Sequence, residues 1–167
     1  MVSPIKETQE LNITRMTEHD LVDVVELEET CGLSRWGWEA YYAELKEEKR
    51  SVMLVARFQQ ENEFLLDRKI EGFIAARLIA DELHINNVAV REECRRLGIG
   101  GKLLGKALLE AGRMGAKTAF LEVRAGNVPA QALYARCGFR LAGRRPEYYT
   151  QPMEDALVMS LAMRGSA

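Results

Sequence analysis

With 167 residues and an apolar fraction of 47%, the chain is long enough to bury one proper core and too apolar to be disordered. A net charge of −2 excludes a general nucleic-acid binder, so any attraction to phosphate must be local. No apolar run approaches the ~18 residues of a membrane span, and residues 1–12 lack the apolar centre of a signal peptide; a cytoplasmic chain without a membrane partner is expected.

Residues 1–10 read as a polar, flexible lead-in, and residues 11–167 as a single domain. Leu11 to Arg15 alternates as a first strand, and Thr17-Glu18-His19-Asp20 resembles a capping box that opens a helix through Leu21, Val24, Val25 and Glu28. Cys31 to Gly37 is a loop, followed by a helix over Trp38 to Lys49. Ser51 to Phe58 and Lys69 to Ile79 form a hairpin with a polar tip at 59–63, and Phe64 to Leu66 can prolong its ladder. Leu83 to Val90 is a further strand, and a helix follows to Met114. Ala119 to Arg124 is the next strand, and Pro129 to Arg136 a helix with Pro in its first turn and Gly138 just past its end. Phe139 to Ala142 and Ala156 to Met163 close the order. Interleaved helices with hairpins at the edges predict an α/β fold, a mixed and mostly antiparallel sheet with helices on both faces. Cys31, Cys94 and Cys137 are odd in number and far apart, which argues against a disulfide framework. With only His19 and His84, and no close cysteine pair, no metal site is expected.

The most informative stretch joins the strand ending Val88-Ala89-Val90 to the helix carrying Ile99, Leu103, Leu104, Ala107 and Leu108 on one face. Between them lie Arg95, Arg96, Leu97, Gly98, Ile99, Gly100, Gly101 and Lys102. Glycines at a helix start let ligand oxygens approach free backbone N–H groups, where the helix dipole favours negative charge. Arg95, Arg96 and Lys102 add positive charge at the same place, and the segment reads as a pyrophosphate cradle. A P-loop would need Gly where Arg96 stands and Ser or Thr where Leu103 stands, and the dinucleotide fingerprint needs a third Gly at position 103. The spacing that fits is Arg-x-x-Gly-x-Gly, Arg95 to Gly100, which resembles the coenzyme A signature of the GNAT family of N-acetyltransferases.

Two further blocks sharpen the resemblance: Leu121-Glu122-Val123-Arg124-Ala125-Gly126-Asn127 running on to Tyr134 and Gly138-Phe139, and Arg144-Arg145-x-x-Tyr148-Tyr149 followed by Glu154-Asp155-Ala156. With the cradle, they resemble the ribosomal-protein-alanine N-acetyltransferases of the RimI type within that family, from about Asn87 to Met159. The resemblance implies acetyl-CoA as cosubstrate, no metal, and direct transfer in a ternary complex to a protein N-terminus, with a ribosomal protein beginning in alanine as partner. It places a general base at Glu122, a general acid at Tyr134 and a pantetheine contact at Asn127. It also implies that the backbone of Val88, Ala89 and Val90 holds the thioester where the strand splays from Ala119 to Arg124.

On their own terms these residues leave alternatives open. Glu122 shares a face with Phe120 and Arg124 and can serve as a base, or it can be a strand carboxylate in solvent or paired to Arg124. Tyr134 can be a core aromatic, and Asn127 a helix cap. Trp36, Tyr148 and Tyr149 are the candidates for an acceptor wall. An α-amino group with a pKa near ~7.8 is roughly a quarter neutral near pH 7.4, against about a thousandth for lysine at ~10.4, which favours an N-terminal acceptor. A lysine or small-molecule amine, and a non-catalytic acetyl-CoA-binding module, are the competing readings. A monomer or weak dimer without direct nucleic-acid contact is expected.

Overall fold

The computed structural model describes residues 9–59 and 69–164. Most of the lead-in, and the hairpin tip with Phe64 to Leu66, lie outside the described residues. Strand β1, Leu11–Arg15, pairs antiparallel with β2, Ser51–Phe58, and helices α1, Leu21–Thr30, and α2, Gly37–Leu45, lie between them in sequence. Strands β3, Gly72–Ile79, and β4, Glu82–Val90, continue the meander. Helix α3, Ile99–Arg113, then crosses over to β5, Thr118–Arg124, which pairs parallel to β4 as a crossover helix allows. Helix α4, Val128–Arg136, precedes the terminal hairpin of β6, Arg140–Tyr149, and β7, Glu154–Ala162. The sheet order is β1-β2-β3-β4-β5-β7-β6, and only the β4–β5 pair is parallel.

Each face of the sheet carries its own apolar cluster. Ile99, Leu103, Leu104, Ala107 and Ala111 of α3 pack on Leu54, Ile74, Leu83, Ile85 and Leu121 on one face. Leu21, Val24, Leu27 and Tyr41 of α1 and α2 pack on Met53, Val55, Phe73 and Ala75 on the other. Both faces of β2 and β3 are therefore covered, which is why these strands read as continuous apolar runs rather than alternating ones.

Where elements depart from the sequence reading, side chains that take or free backbone groups account for it. The capping box forms, with the Thr17 N–H donating to Asp20 Oδ2 at 2.8 Å, but it closes a 3-10 turn that delivers the chain into α1 at Leu21. Helix α2 stops at Leu45, short of Lys49, because the Ser51 hydroxyl donates to the carbonyls of Glu44 at 2.8 Å and Glu47 at 3.0 Å. Strand β3 starts at Gly72, later than Lys69: the Ile70 N–H donates to Asp23 Oδ2 at 3.2 Å and its carbonyl accepts from Arg91 Nε at 2.7 Å. Those groups serve side chains instead of the ladder. Strand β6 runs on from Ala142 to Tyr149, because as an exposed edge strand it tolerates Arg144, Arg145 and Pro146 and shows no apolar alternation.

Candidate active site

The site begins where the parallel pair opens. Residues Glu82 to Ile85 match Thr118 to Leu121, and beyond them the β4–β5 ladder ends. The β3–β4 register shifts at Ala75/Ala76, leaving Asn86 as an extra residue. That bulge re-aims the strand: Leu83 and Ile85 pack with α3, whereas Asn87 and Ala89, past the extra residue, turn to the α1–α2 face. The Arg91 N–H donates to the Glu71 carbonyl on the β3 side at 2.8 Å. By strand alternation the backbone groups of Ala89 also face β3, and those of Val88 and Val90 face the gap.

At one mouth of the gap sits the N-terminus of α3. Arg96 at φ 64° and Gly98 at φ 80° turn the chain through left-handed backbone, and at Gly98 an L side chain would be strained. The first bond of the helix runs from the Lys102 N–H to the Gly98 carbonyl at 3.1 Å, so the N–H groups of Ile99, Gly100 and Gly101 point off the helix end. Ile99 and Gly100 are buried and Leu97 is half-buried, so this stretch offers a ligand its backbone, with Arg96 and Lys102 exposed beside it. This arrangement fits a pyrophosphate. Gly100 also admits α4, since a Cβ there would lie 3.0 Å from Leu133 Cδ2. Arg95 turns back across the strand end: its Nε donates to the Val90 carbonyl at 3.3 Å and its Nη2 reaches Cys31 Sγ at 3.7 Å.

On the opposite face a pocket of about 490 Å³ opens, lined by Trp36, His84, Glu122, Arg145, Tyr148 and Tyr149 among others. Glu122 projects into it from β5 beside Phe120, while Leu121 and Val123 are buried on the other side, as alternation requires. Its Oε1 lies 3.1 Å from Arg145 Nε, and the Tyr148 phenol, raised above its ordinary pKa chiefly by its hydrogen bond to Glu122, completes the carboxylate's surroundings. The sequence left open a pairing of Glu122 with Arg124. Instead Arg124 bonds Glu154 at 3.3 Å and lies over the Tyr149 ring, its guanidinium 4.4 Å from the centroid. On the β4 side, His84 Nε2 lies 2.9 Å from Glu82 Oε2, and its ring stacks on Phe120. The Trp36 wall is held from beneath. Buried Glu28 accepts from the backbone N–H groups of Trp36 at 2.9 Å and Gly37 at 3.2 Å. Its carboxylate also lies against the Tyr41 hydroxyl, which accepts from Asn87 Nδ2 of β4 at 2.7 Å. Burial, reinforced by Glu28, pushes the Tyr41 phenol far above its ordinary value.

Tyr134 approaches from the α3 face. It is buried edge-on to Phe139, and burial, with Tyr149 and Cys137 nearby, pushes its pKa up to about 12. Asn127 caps α4, its Oδ1 accepting from the Ala130 N–H at 3.2 Å. The structure thus gathers Trp36, Glu122, Tyr148 and Tyr149 around one pocket, and sets the cradle and Tyr134 on the other side of the opened ladder. Arg145, His84 with Glu82, and the Glu28–Tyr41–Asn87 chain were not singled out from sequence. Arg145 stood within a quoted motif, but nothing local says that an edge-strand arginine turns toward Glu122. Among the described residues, no group of three or more His, Cys, Asp or Glu could hold a metal ion, and no helix is long and apolar enough to cross a membrane.

Residues 21–139 match the model of the acetyltransferase (GNAT) family. The chain belongs to that family. It is therefore an acetyl-CoA-dependent N-acetyltransferase. A [ribosomal protein bS18]-alanine N-acetyltransferase of Salmonella typhimurium strain LT2 is 30% identical over 151 residues, covering 89% of this chain and 95% of that protein. The crystal structure of the Escherichia coli ribosomal-protein-S18-alanine N-acetyltransferase superposes with a TM-score of 0.79 at 28% identity, covering 95% and 97% of the two chains. The Arabidopsis thaliana NAA60 structure in complex with acetyl-CoA gives 0.80 at 18% identity over 93% of this chain and 100% of that one, a likeness of fold.

Proposed function

We propose that residues 11–167 form one catalytic domain that moves the acetyl group of acetyl-CoA to the N-terminal α-amine of a ribosomal protein beginning with alanine, by direct transfer in a ternary complex. The observation that carries this reading is the placement of Glu122. It stands where the β4–β5 ladder opens, in a pocket on the face opposite the phosphate cradle. Donor and acceptor can then meet in the gap from two sides. The acceptor class rests on the ribosomal-protein-alanine acetyltransferases that the chain resembles over nearly its full length, and on the readier supply of a neutral α-amine at physiological pH.

The cradle N–H groups of residues 97–102 take the pyrophosphate, with Arg96 and Lys102 adding charge, and Val88 and Val90 hold the pantetheine and thioester through gap-facing backbone groups. The neutral amine nitrogen attacks the thioester carbonyl carbon. An N–H group at Val90 stabilises the oxyanion, and Glu122 accepts the amine proton, directly or through water. The C–S bond breaks and the sulfur leaves as thiolate. A phenol at about 12 does not give up its proton readily to a thiolate whose conjugate acid titrates near ~8.5, so Tyr134 stabilises that sulfur as a hydrogen-bond donor. The thiolate then takes a proton from solvent, and Glu122 returns its own. Asn127, engaged as the cap of α4, keeps its Nδ2 for the pantetheine arm. Arg95, bonded to Val90, acts by holding the strand end.

The test is acetyl-CoA turnover on peptides beginning with alanine, read by mass spectrometry, against the same peptides blocked at the N-terminus but carrying lysine. Acetylation of the free set alone is expected. Modification of the blocked set would move the acceptor to lysine. Coenzyme binding without product in either set would point to a small amine or a non-catalytic module.

A further inference from the structure

The general base of the proposed reaction is already occupied. Arg145 Nε lies 3.1 Å from Glu122 Oε1, and both side chains line the acceptor pocket. The guanidinium also lies over the Tyr148 ring at 5.6 Å from its centroid, and Tyr148 itself bonds Glu122. A cation that came to Glu122 would meet Arg145 at close range. From β6 the carboxylate faces Arg145, Tyr148 and Tyr149; from β4 it faces His84 and Glu82, which hold each other at 2.9 Å; its strand neighbour Arg124 is held by Glu154 of β7. Arg145 is therefore the cation that neutralises this base.

We infer that Arg145 is a specificity-determining positioning residue: paired with Glu122, it makes the pocket reject ammonium ions and admit acceptors as neutral amines, so that the site selects α-amines over lysines. This rests on the reading of Glu122 as the base. A neutral amine adds no charge beside the pair and presents its lone pair to the thioester, whereas an ammonium adds a second cation within reach of the guanidinium. Without Arg145, the Glu122 carboxylate would attract ammonium ions, which are almost all of the lysine population and most of the α-amine population at neutral pH.

The experiment compares wild type, Arg145→Met and Arg145→Lys with saturating acetyl-CoA, on an alanine-initiated peptide and on its blocked, lysine-bearing counterpart, between pH 6.5 and 8.5. Wild-type KM for the free peptide is expected to fall about 17-fold across that range as the amine loses its proton near ~7.8. In Arg145→Met the fall shrinks to less than about twofold, the pH dependence moves into kcat, and the preference for the free peptide over lysine drops at least about tenfold. Arg145→Lys restores both wild-type patterns, because the charge and not the side-chain bulk is at issue. Arg145 is 58% exposed on an edge strand, so the variants keep the fold, and a thermal melt checks it. An unchanged KM profile and selectivity in Arg145→Met, or failure of lysine to restore them, overturns the inference while leaving the proposed reaction standing. A wild-type enzyme that acetylates no free N-terminus overturns the proposed reaction, and this inference with it.

Discussion

Glu122 and Tyr134 illustrate how environment divides labour between two ionisable groups. Glu122, partly open to the pocket and paired to Arg145, is the base of the proposed reaction. Replacing it by Gln is expected to lower kcat by about 10²–10⁴-fold while acetyl-CoA affinity stays within about twofold, because the base acts on the acceptor. Steady-state rates alongside calorimetric binding separate the two, and parallel losses in both would refute the assignment. Tyr134 holds its proton up to about pH 12, whereas the same phenol in the unfolded chain titrates near ~10. Its folded pKa is raised, so the associated stability is full below pH 10 and is lost as pH rises through 12. Over that window Tyr134 removes about 2–3 kcal/mol of unfolding free energy. Tyr134→Phe is expected to flatten the alkaline side of a denaturation-versus-pH curve and to slow turnover by about 10–100-fold, the loss of one hydrogen bond to a developing anion. An alkaline curve as steep as that of wild type would mean that the phenol titrates elsewhere.

At the scale of elements, the junction of α3 with α4 and the underpinning of Trp36 carry the predictions. A valine at position 100 would set its Cβ 3.0 Å from Leu133 Cδ2 before any ligand arrives, so Gly100→Val is expected to push α4 off the cradle and weaken acetyl-CoA binding by at least about tenfold. Isothermal titration measures it, and normal affinity would show that the backbone approach does not need this glycine. Glu28→Ala would strip the Trp36 and Gly37 N–H groups of their acceptor. The expected loss is about 1–3 kcal/mol, or roughly 3–10 °C in Tm, with a raised acceptor KM and unaltered coenzyme affinity. An acceptor KM equal to that of wild type would mean that the wall stands without it. The turn and helix start at residues 95–102 were legible in sequence because they are local: glycines, basic residues and an amphipathic helix follow one another within a few positions. So was the facing of Glu122, which needs only strand alternation. The length of β6 was not, because an exposed edge strand has no buried side to impose a period. Nor was the Arg145 pairing, since its partner lies two strands away through β7.

In the whole molecule, one sheet separates two cores, and the sequence carried that division only in part. Uninterrupted apolar runs in β2 and β3 implied cover on both faces, but which helix lies on which face follows from topology. The splay was implied by family resemblance alone. Its physical cause, the extra residue Asn86, leaves no mark in composition, because an asparagine in a strand is silent about register. Acetyl-CoA that binds the native fold but not the unfolded chain is expected to raise Tm by about 5–11 °C at a hundred times its Kd. A melt unmoved by saturating coenzyme would deny the cradle its ligand.

The opened ladder between β4 and β5 also bears on the order of events. In the proposed reaction, a breach in the sheet with separate approaches from its two faces gives each substrate its own doorway, and each product its own exit. Neither traveller has to wait for the other. Free coenzyme A should then compete with acetyl-CoA and not with the acceptor, and the acetylated peptide should compete only with its unmodified form. On that reading, what looks like a defect in strand pairing is a two-way crossing.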